Sequence, residues 1–156
     1  MTAQHNPAQH KPAQHGRTQA SEVNFFVYGT LKRGECRQHL WPRLPQVVEE
    51  AWVLGELYDA GSYPALAPGT DKVLGELWNF ATNDFEAITK VLDEIEEYRP
   101  GDPYNLYNRE VIDCETLSGR RASAYTYIYA RLHDLTTFTR LRSTGDNSNF
   151  AQWRSA

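Results

Sequence analysis

The sequence has little of what marks secreted, membrane or nucleic-acid-binding proteins. Its two cysteines, Cys36 and Cys114, are isolated and form no CxxC pair, which is typical of reduced thiols in a reducing compartment. No apolar run approaches the roughly 20 residues of a membrane-spanning helix, and the N-terminus shows no apolar signal-peptide core. The net charge of −4 disfavours a broad nucleic-acid-binding surface, which is usually strongly basic. We therefore predict a cytoplasmic protein without membrane or nucleic-acid partners.

The chain of 156 residues is long enough for one domain with a hydrophobic core. Its first 21 residues repeat Ala-Gln-His and place His5, His10 and His15 five residues apart, a spacing that matches no face of a helix or strand. Because it lacks large apolar residues, this segment is predicted to be a disordered, dispensable tail, with metal binding as the alternative. The domain is predicted over residues 22–142, followed by a polar C-terminal tail over 143–156. We expect a monomer or a small homo-oligomer.

Apolar patterns and turn signals predict five strands and one principal helix. Asn83 followed by Glu86 resembles a helix N-cap with its partner three residues later. An amphipathic stripe then runs from Phe85 to Ile95. The predicted strands cover residues 23–28, 47–58, 72–80, 106–116 and 121–130, with a short helix near 35–41 and a turn-rich connection over 61–70.

Because strands, hairpins and helices are interleaved, we predict an α+β fold with a mixed, partly barrel-like sheet and a few flanking helices. In the last predicted strand, Tyr125, Tyr127 and Tyr129 share one face by two-residue alternation. We expect these rings to fill a barrel interior. The alternative is a contact surface of a structural or interaction protein.

The segment LDEIEEY, residues 92–98, places four carboxylates in five positions at the predicted C-terminal end of the helix, just before a Pro-Gly break. The helix dipole is negative at this end and disfavours anions by about 0.3–1 kcal/mol each. At about 100° per residue, Glu96 points to within roughly 20° of the direction of Phe85 and lies at the edge of the apolar face. The other three acids point away from this face and are expected to stay in water: Asp93, Glu94 and Glu97.

Three influences are expected to raise the pKa of Glu96: partial burial, neighbouring carboxylates and the negative end of the helix dipole. A carboxyl group with a raised pKa can act as a base and then as an acid near neutral pH. The alternative is a structural ion pair, for which Arg99 or Arg109 can supply the cation.

A second candidate site lies in VYGTLKRG, residues 27–34, where a predicted buried strand ends in a glycine turn. Main-chain N–H groups in such a turn can bind a carboxylate or another anion. The segment is not a phosphate-binding P-loop, because GxxxxGK[ST] is absent. The alternative is an ordinary tight turn in which Lys32 and Arg33 are surface charges.

Three segments together, FVYGTLKRG, LDEIEEY and LYNREV, resemble the γ-glutamylcyclotransferase-like (AIG2-like) family, and most closely its γ-glutamylamine cyclotransferase branch. The resemblance runs from about residue 23 to residue 130. It implies an α+β domain around a partly barrel-like mixed sheet. It also implies an enzyme that cleaves small γ-glutamyl amides to 5-oxoproline and a free amine, without a metal or an organic cofactor.

Carried over residue by residue, the resemblance makes Glu96 the catalytic residue. Family members often have glycine directly after this glutamate, where the present sequence has Glu97. Six further residues match positions to which the resemblance assigns substrate binding: Tyr28, Gly29, Thr30, Leu31, Tyr107 and Arg109.

In the implied reaction the substrate supplies its own nucleophile, an α-amino group that closes a five-membered ring on the γ-carbonyl carbon. One carboxylate with a raised pKa can serve as base and then as acid. One alternative is a non-catalytic domain of the same fold that binds a small ligand. Another is a two-carboxylate hydrolase that uses Glu94 and Glu96, although residues two apart on a helix do not face each other.

Overall fold

The computed structural model describes residues 22–143 and 149–156; the predicted N-terminal tail lies outside them. Within these ranges the α-helix α1 spans Phe85–Ile95, and no helix is long and apolar enough to cross a membrane. Short 3₁₀ turns occupy Gln38–Leu40, Thr82–Asp84 and Leu132–Thr137. The strands are β1 Glu22–Val27, β2 Val47–Asp59, β3 Pro64–Ala81, β4 Tyr107–Thr116, β5 Arg121–Tyr129 and β6 Thr139–Leu141.

Five of the strands close into a barrel. In order around the sheet, β3 pairs with β1, β1 with β5, β5 with β4, and β4 with β2, and β2 pairs back with β3. The short β6 pairs with one end of β2. The β1–β5 pair is parallel and the other pairs are antiparallel. Closure removes the exposed edges that an open sheet would carry. The predicted α+β fold with a mixed, barrel-like sheet is confirmed.

The hairpin formed by β2 and β3 is longer than predicted. Pairing begins at Pro64 and shifts register between Gly55 and Glu56, so that residues 68–70 of β3 face no partner on β2. A bulge of this kind absorbs extra residues and bends the strand. The stretch over 61–70, predicted as a turn-rich connection, therefore belongs mostly to β3. Proline is tolerated there because it lies at the first position of a strand and at a bulge.

Two clusters of buried side chains lie on opposite faces of the sheet. The cluster inside the barrel receives residues from all five barrel strands, among them Phe26, Val53, Leu77, Cys114 and Ala124. The second cluster lies under α1 and combines helix residues with residues of the outer sheet face, among them Phe25, Trp78, Ile88, Leu92 and Tyr107. Neighbouring residues of β1 alternate between the two clusters, as the two-residue period of a strand requires.

The tyrosines of β5 face α1 and not the barrel interior. Tyr127 donates a hydrogen bond to Asp93 of α1 at 2.6 Å, and the ring centroid of Tyr125 lies 5.0 Å from that of Phe85. The predicted position inside the barrel is therefore wrong. The inner face of β5 carries small residues such as Ala124, because the interior of a small barrel has room for few large side chains.

Helix α1 has the predicted amphipathic stripe but not the predicted cap. Ile88 and Leu92 are both 0% exposed, and each such burial stabilises the fold by about 1.5–3 kcal/mol. The N-cap residue is Asp84, without a side-chain cap hydrogen bond, while Asn83 lies in the preceding 3₁₀ turn. The short helix predicted near residues 35–41 is reduced to a single 3₁₀ turn.

Residues 149–156 return to the barrel. The N–H of Ala151 donates to the carbonyl of Lys72 at 2.9 Å, and the carbonyl of Ala151 accepts from the N–H of Leu74 at 2.8 Å. Trp153 is 2% exposed and belongs to the interior cluster. The segment was predicted as a polar tail outside the domain, yet it contributes to the core. A single tryptophan explains the difference, because it buries more apolar area than any other side chain.

We expect Trp153→Ala to lower the free energy of unfolding by about 3–5 kcal/mol, because it leaves a cavity in the barrel. Urea denaturation of the full chain measures this loss. The exposed neighbour Arg154 provides the control, since Arg154→Ala should change stability by no more than about 0.5 kcal/mol. Unchanged stability of Trp153→Ala would show that the segment is not part of the folded domain.

Candidate active site

A cavity of about 120 Å³ lies beside the C-terminal end of α1. It is slightly smaller than an engineered protein cavity of about 150 Å³ that holds one benzene molecule, so it admits one small ligand group. The segment after β1, the residues after α1 and the first residues of β3 and β4 meet around it. Six of the seven predicted site residues line the cavity: Tyr28, Gly29, Thr30, Leu31, Glu96 and Tyr107.

Glu96 directly follows α1 and is its C-cap residue. Its N–H donates to the carbonyl of Leu92 at 2.9 Å, and its side chain is half-buried. Within the described part of the chain, its carboxylate has no hydrogen bond and no ion pair. The alternative of a structural ion pair with Arg99 or Arg109 is therefore not realised. The carboxylate is left available to a ligand in the cavity.

The surroundings of Glu96 raise its pKa to about 7. Burial, which disfavours the charged form, is the largest cause, and the carboxylate of Glu97 acts in the same direction. The guanidinium of Arg37 opposes them by favouring the ionised form. Burial and a neighbouring carboxylate were both predicted from the sequence. At neutral pH, Glu96 is thus present in protonated and ionised forms in comparable amounts.

Glu97 holds the backbone turn that directs Glu96 into the cavity. Its φ of 55° lies in the left-handed region, and no other described non-glycine residue has a positive φ. The N–H of Tyr98 donates to the carbonyl of Asp93 at 2.9 Å, and the N–H of Glu97 to that of Glu94 at 3.3 Å. This is the Schellman arrangement, in which glycine is the usual left-handed residue. Glu97 also borders the cavity, and it is exposed to water, as predicted.

Three side chains, which we call the carboxylate clamp, fasten the last turn of α1 to the sheet: Asp93, Arg109 and Tyr127. Arg109 Nη1 lies 2.6 Å from Asp93 Oδ2, and the Tyr127 hydroxyl donates to Asp93 Oδ1 at 2.6 Å. The guanidinium packs 5.3 Å from the ring centroid of Tyr98 and 5.7 Å from that of Phe85. Asp93 is therefore not free in water, as the periodicity had predicted.

The clamp gives Arg109 a position different from the predicted one. Arg109 does not line the cavity, whereas Tyr107, two residues earlier on the same face of β4, does. A step of two residues along a strand covers about 6.6 Å. The guanidinium lies under the last turn of α1, where it binds Asp93 beside the cavity-lining Tyr127. The structure thus gives Arg109 a contact with the helix end, and its role in substrate binding stays a prediction.

The segment Tyr28–Leu31, which we call the ligand loop, presents free N–H groups. Its carbonyl groups are engaged: Gly29 O accepts from Lys32 N at 3.1 Å, Thr30 O from Arg37 N at 2.9 Å and Leu31 O from Trp41 Nε1 at 3.0 Å. Among the described residues, the N–H groups of Gly29, Thr30 and Leu31 donate no hydrogen bond. A loop fixed by its carbonyls with its N–H groups free can bind an anionic or carbonyl oxygen.

Pro64 closes the cavity beside Gly29. A Cβ atom at Gly29 would lie 2.5 Å from Pro64 Cγ. Pro64 is fixed in place, because its carbonyl accepts a hydrogen bond from the Tyr107 hydroxyl at 2.6 Å. The absence of a side chain at Gly29 is thus required by Pro64. A variant such as Gly29→Val would displace Pro64 as well as obstruct a ligand, so it does not test ligand approach alone.

Three lining residues escaped the sequence analysis: Arg37, Tyr63 and Pro64. Arg37 follows the ligand loop without any recognisable pattern, and Tyr63 and Pro64 lie in the segment that resembled a simple turn. Their sequence offers no signal for a site, since it is the closure of the barrel that brings them together. Among the described residues, no group of three or more His, Cys, Asp and Glu side chains is arranged to hold a metal ion.

Comparison with known proteins gives the fold and the family. The crystal structure of an AIG2-like protein from Mus musculus matches with a TM-score of 0.59 and 22% identity, covering 87% of this chain and 99% of that one. YkqA from Bacillus subtilis matches with a TM-score of 0.54 and 23% identity, covering 77% of this chain and 38% of that one. These structures show that the chain shares its fold with the AIG2-like protein and with YkqA.

The sequence comparisons go further. The γ-L-glutamyl-butirosin B γ-glutamyl cyclotransferase of Niallia circulans is 37% identical over 111 residues, covering 69% of this chain and 67% of that protein. Residues 25–149 match the family described as "Gamma-glutamyl cyclotransferase, AIG2-like". The chain belongs to this family, as the resemblance of its motifs predicted.

The left-handed conformation of Glu97 predicts a stabilising substitution. A non-glycine residue in this region costs roughly 1–2 kcal/mol, so Glu97→Gly should raise the free energy of unfolding by about 1 kcal/mol. Urea denaturation measures the change as a higher midpoint at an unchanged slope. The exposed helix residue Glu94 is the matched control, since Glu94→Gly should lower stability by about 0.5–1 kcal/mol. A loss at both positions would contradict the assignment of strain to Glu97.

The raised pKa of Glu96 predicts a pH-dependent stability. The folded-state pKa is about 7 against an ordinary value of 4.5, so the folded chain binds this proton more tightly than the unfolded chain. Stability is thus lost as the pH rises from about 4.5 to about 7, by an amount on the order of 3 kcal/mol. Glu96→Gln removes the loss, so its advantage over the wild type should grow across this range and stay constant above it. A pH-independent difference between the two proteins would contradict the raised pKa.

Proposed function

We propose that the protein is a γ-glutamylamine cyclotransferase-type enzyme in which Glu96 is the single acid–base residue. It converts a γ-glutamyl amide into 5-oxoproline and a free amine. The α-amino nitrogen of the glutamyl group bonds to its own γ-carbonyl carbon, and the bond between that carbon and the amide nitrogen breaks. Two protons leave the α-ammonium group, and two arrive on the departing amine.

The observation that carries the proposal is the unpartnered, half-buried carboxylate of Glu96 in the cavity, with a pKa raised to about 7. At neutral pH the substrate amine is protonated, so the reaction requires a group that removes a proton and then returns one. A carboxyl group that titrates near the working pH does both efficiently. No second carboxylate is needed, because the nucleophile and the electrophile are in the same molecule.

Two tyrosines in the cavity, Tyr28 and Tyr107, are poorly suited to this role. Tyr107 donates its hydroxyl proton to the Pro64 carbonyl and Tyr28 donates to the Tyr127 carbonyl. Burial raises the pKa of both tyrosines, so they remain neutral. They shape the cavity but do not transfer protons. A two-carboxylate mechanism finds no support, since Glu94 is exposed and does not line the cavity.

The ligand loop fits the glutamyl part of such a substrate. Its free N–H groups can receive the α-carboxylate or the oxygen of the attacked carbonyl, where negative charge develops. The cavity volume of about 120 Å³ limits the enclosed part to one small group. The amine half therefore projects towards solvent, which is compatible with amines of different sizes. The name of the Niallia circulans relative, with its γ-glutamyl-butirosin substrate, indicates one large amine in the family.

The proposal is tested by measuring 5-oxoproline released from γ-glutamyl-lysine isopeptide, γ-glutamyl dipeptides and glutathione. With any substrate that the wild type accepts, Glu96→Gln should lower kcat by about 10²–10⁴-fold, because the amide keeps the size of the side chain but transfers no proton. Substrate binding should change little.

Glu94→Gln is the matched control, since it removes an equal charge from an exposed position of the same helix turn. It should retain nearly full turnover. Near-normal turnover of Glu96→Gln would remove Glu96 from the mechanism. Binding of γ-glutamyl compounds by the wild type without any release of 5-oxoproline would instead identify a non-catalytic domain that binds small ligands.

A further inference from the structure

The C-terminal segment contacts the residues that follow the ligand loop. Lys32, the residue directly after the loop, donates from Nζ to the carbonyl of Trp153 at 2.7 Å. Trp153 is fixed in turn by its buried ring and by its indole N–H, which donates to Asp59 Oδ1 at 3.2 Å. The loop is thereby connected to the barrel wall through a residue near the end of the chain.

The hydrogen bond of Lys32 replaces an ion pair. Its side chain is half-buried, and burial lowers the pKa of the amine. No carboxylate of the described residues lies within ion-pair distance of its Nζ, although Glu35 and Glu76 favour its charged form from farther away. A desolvated ammonium group without a partner is costly. The Trp153 carbonyl thus stabilises the half-buried ammonium group of Lys32 and also fixes its position.

The contact with Trp153 is made by Lys32, which also closes the turn of the ligand loop. The N–H of Lys32 donates to the carbonyl of Gly29 at 3.1 Å, and its side chain extends to Trp153. Lys32 therefore contacts the loop through its main chain and the C-terminal segment through its side chain. The match to the family covers residues 25–149, so Trp153 lies beyond the matched residues.

We propose that Lys32 and Trp153 are positioning residues of the site: the C-terminal segment holds the ligand loop in the conformation that binds substrate. The identity of the ligand rests on the proposed function, whereas the role of Lys32 in holding the loop does not. If the connection is broken, the loop samples other conformations, and apparent affinity falls in proportion to the fraction that remains competent. The acid–base step at Glu96 is untouched, because Lys32 does not line the cavity.

Lys32→Met tests the proposal, since it keeps the apolar stem and removes the donor. We expect KM to rise about tenfold with kcat changed less than about twofold, as for a loop that is competent about one tenth of the time. The backbone ¹⁵N order parameters of residues 29–31 should fall from about 0.85 towards 0.6. Lys90→Met, which removes an exposed lysine of α1, is the control and should change neither quantity.

A second control separates positioning from general stability. Val53→Ala opens space in the barrel interior and lowers stability while it leaves the hydrogen-bond donor of Lys32 in place. It should leave KM and the order parameters of the loop unchanged. Wild-type KM and order parameters in Lys32→Met would overturn the inference, and so would an equal rise of KM in Val53→Ala. If the wild type releases no 5-oxoproline, the proposed function fails, while the order parameters still decide whether Lys32 holds the loop.

Discussion

The ion pair between Asp93 and Arg109 is the constraint on which the site depends. The apolar residues of α1, including Leu92 and Ile95 in its last turn, pack the helix onto the sheet, and the ion pair adds a polar contact to that turn. Arg109 from β4 and Tyr127 from the adjacent β5 both bind the carboxylate of Asp93. With side chains 19% and 21% exposed, the ion pair is less screened than one on the surface. Glu96, three residues later, is thereby held at the cavity.

Around this fixed point, the unfavourable features of the fold are concentrated in two consecutive residues. Glu96 is a half-buried carboxyl group without a protein partner, and Glu97 has a left-handed backbone that other residue types adopt more easily. Each lowers stability, and each also serves the site, since Glu97 raises the pKa of Glu96 and turns the chain towards the cavity. Such local costs are typical of functional sites that a rigid scaffold supports.

The ligand loop shows the complementary arrangement. The carbonyl groups of Gly29, Thr30 and Leu31 accept hydrogen bonds from Lys32, Arg37 and Trp41, while the N–H groups of the same three residues stay free beside the cavity. The cavity thus places hydrogen-bond donors on one side and a titratable carboxylate on the other. This combination suits a glutamyl group, whose oxygen atoms accept hydrogen bonds and whose α-ammonium group gives up protons.

The sequence by itself determined the features that arise between residues close in the chain: the stripe of α1, the β4–β5 hairpin, the ligand loop and the carboxyl group of Glu96. Only the tertiary structure decided that Arg109 binds Asp93, that Pro64 and Arg37 border the cavity, and that Trp153 belongs to the core. These outcomes depend on barrel closure, which joins residues that are distant in sequence. A pairing of distant residues leaves no periodic pattern, whereas a helix face or a turn repeats at a spacing fixed by the backbone.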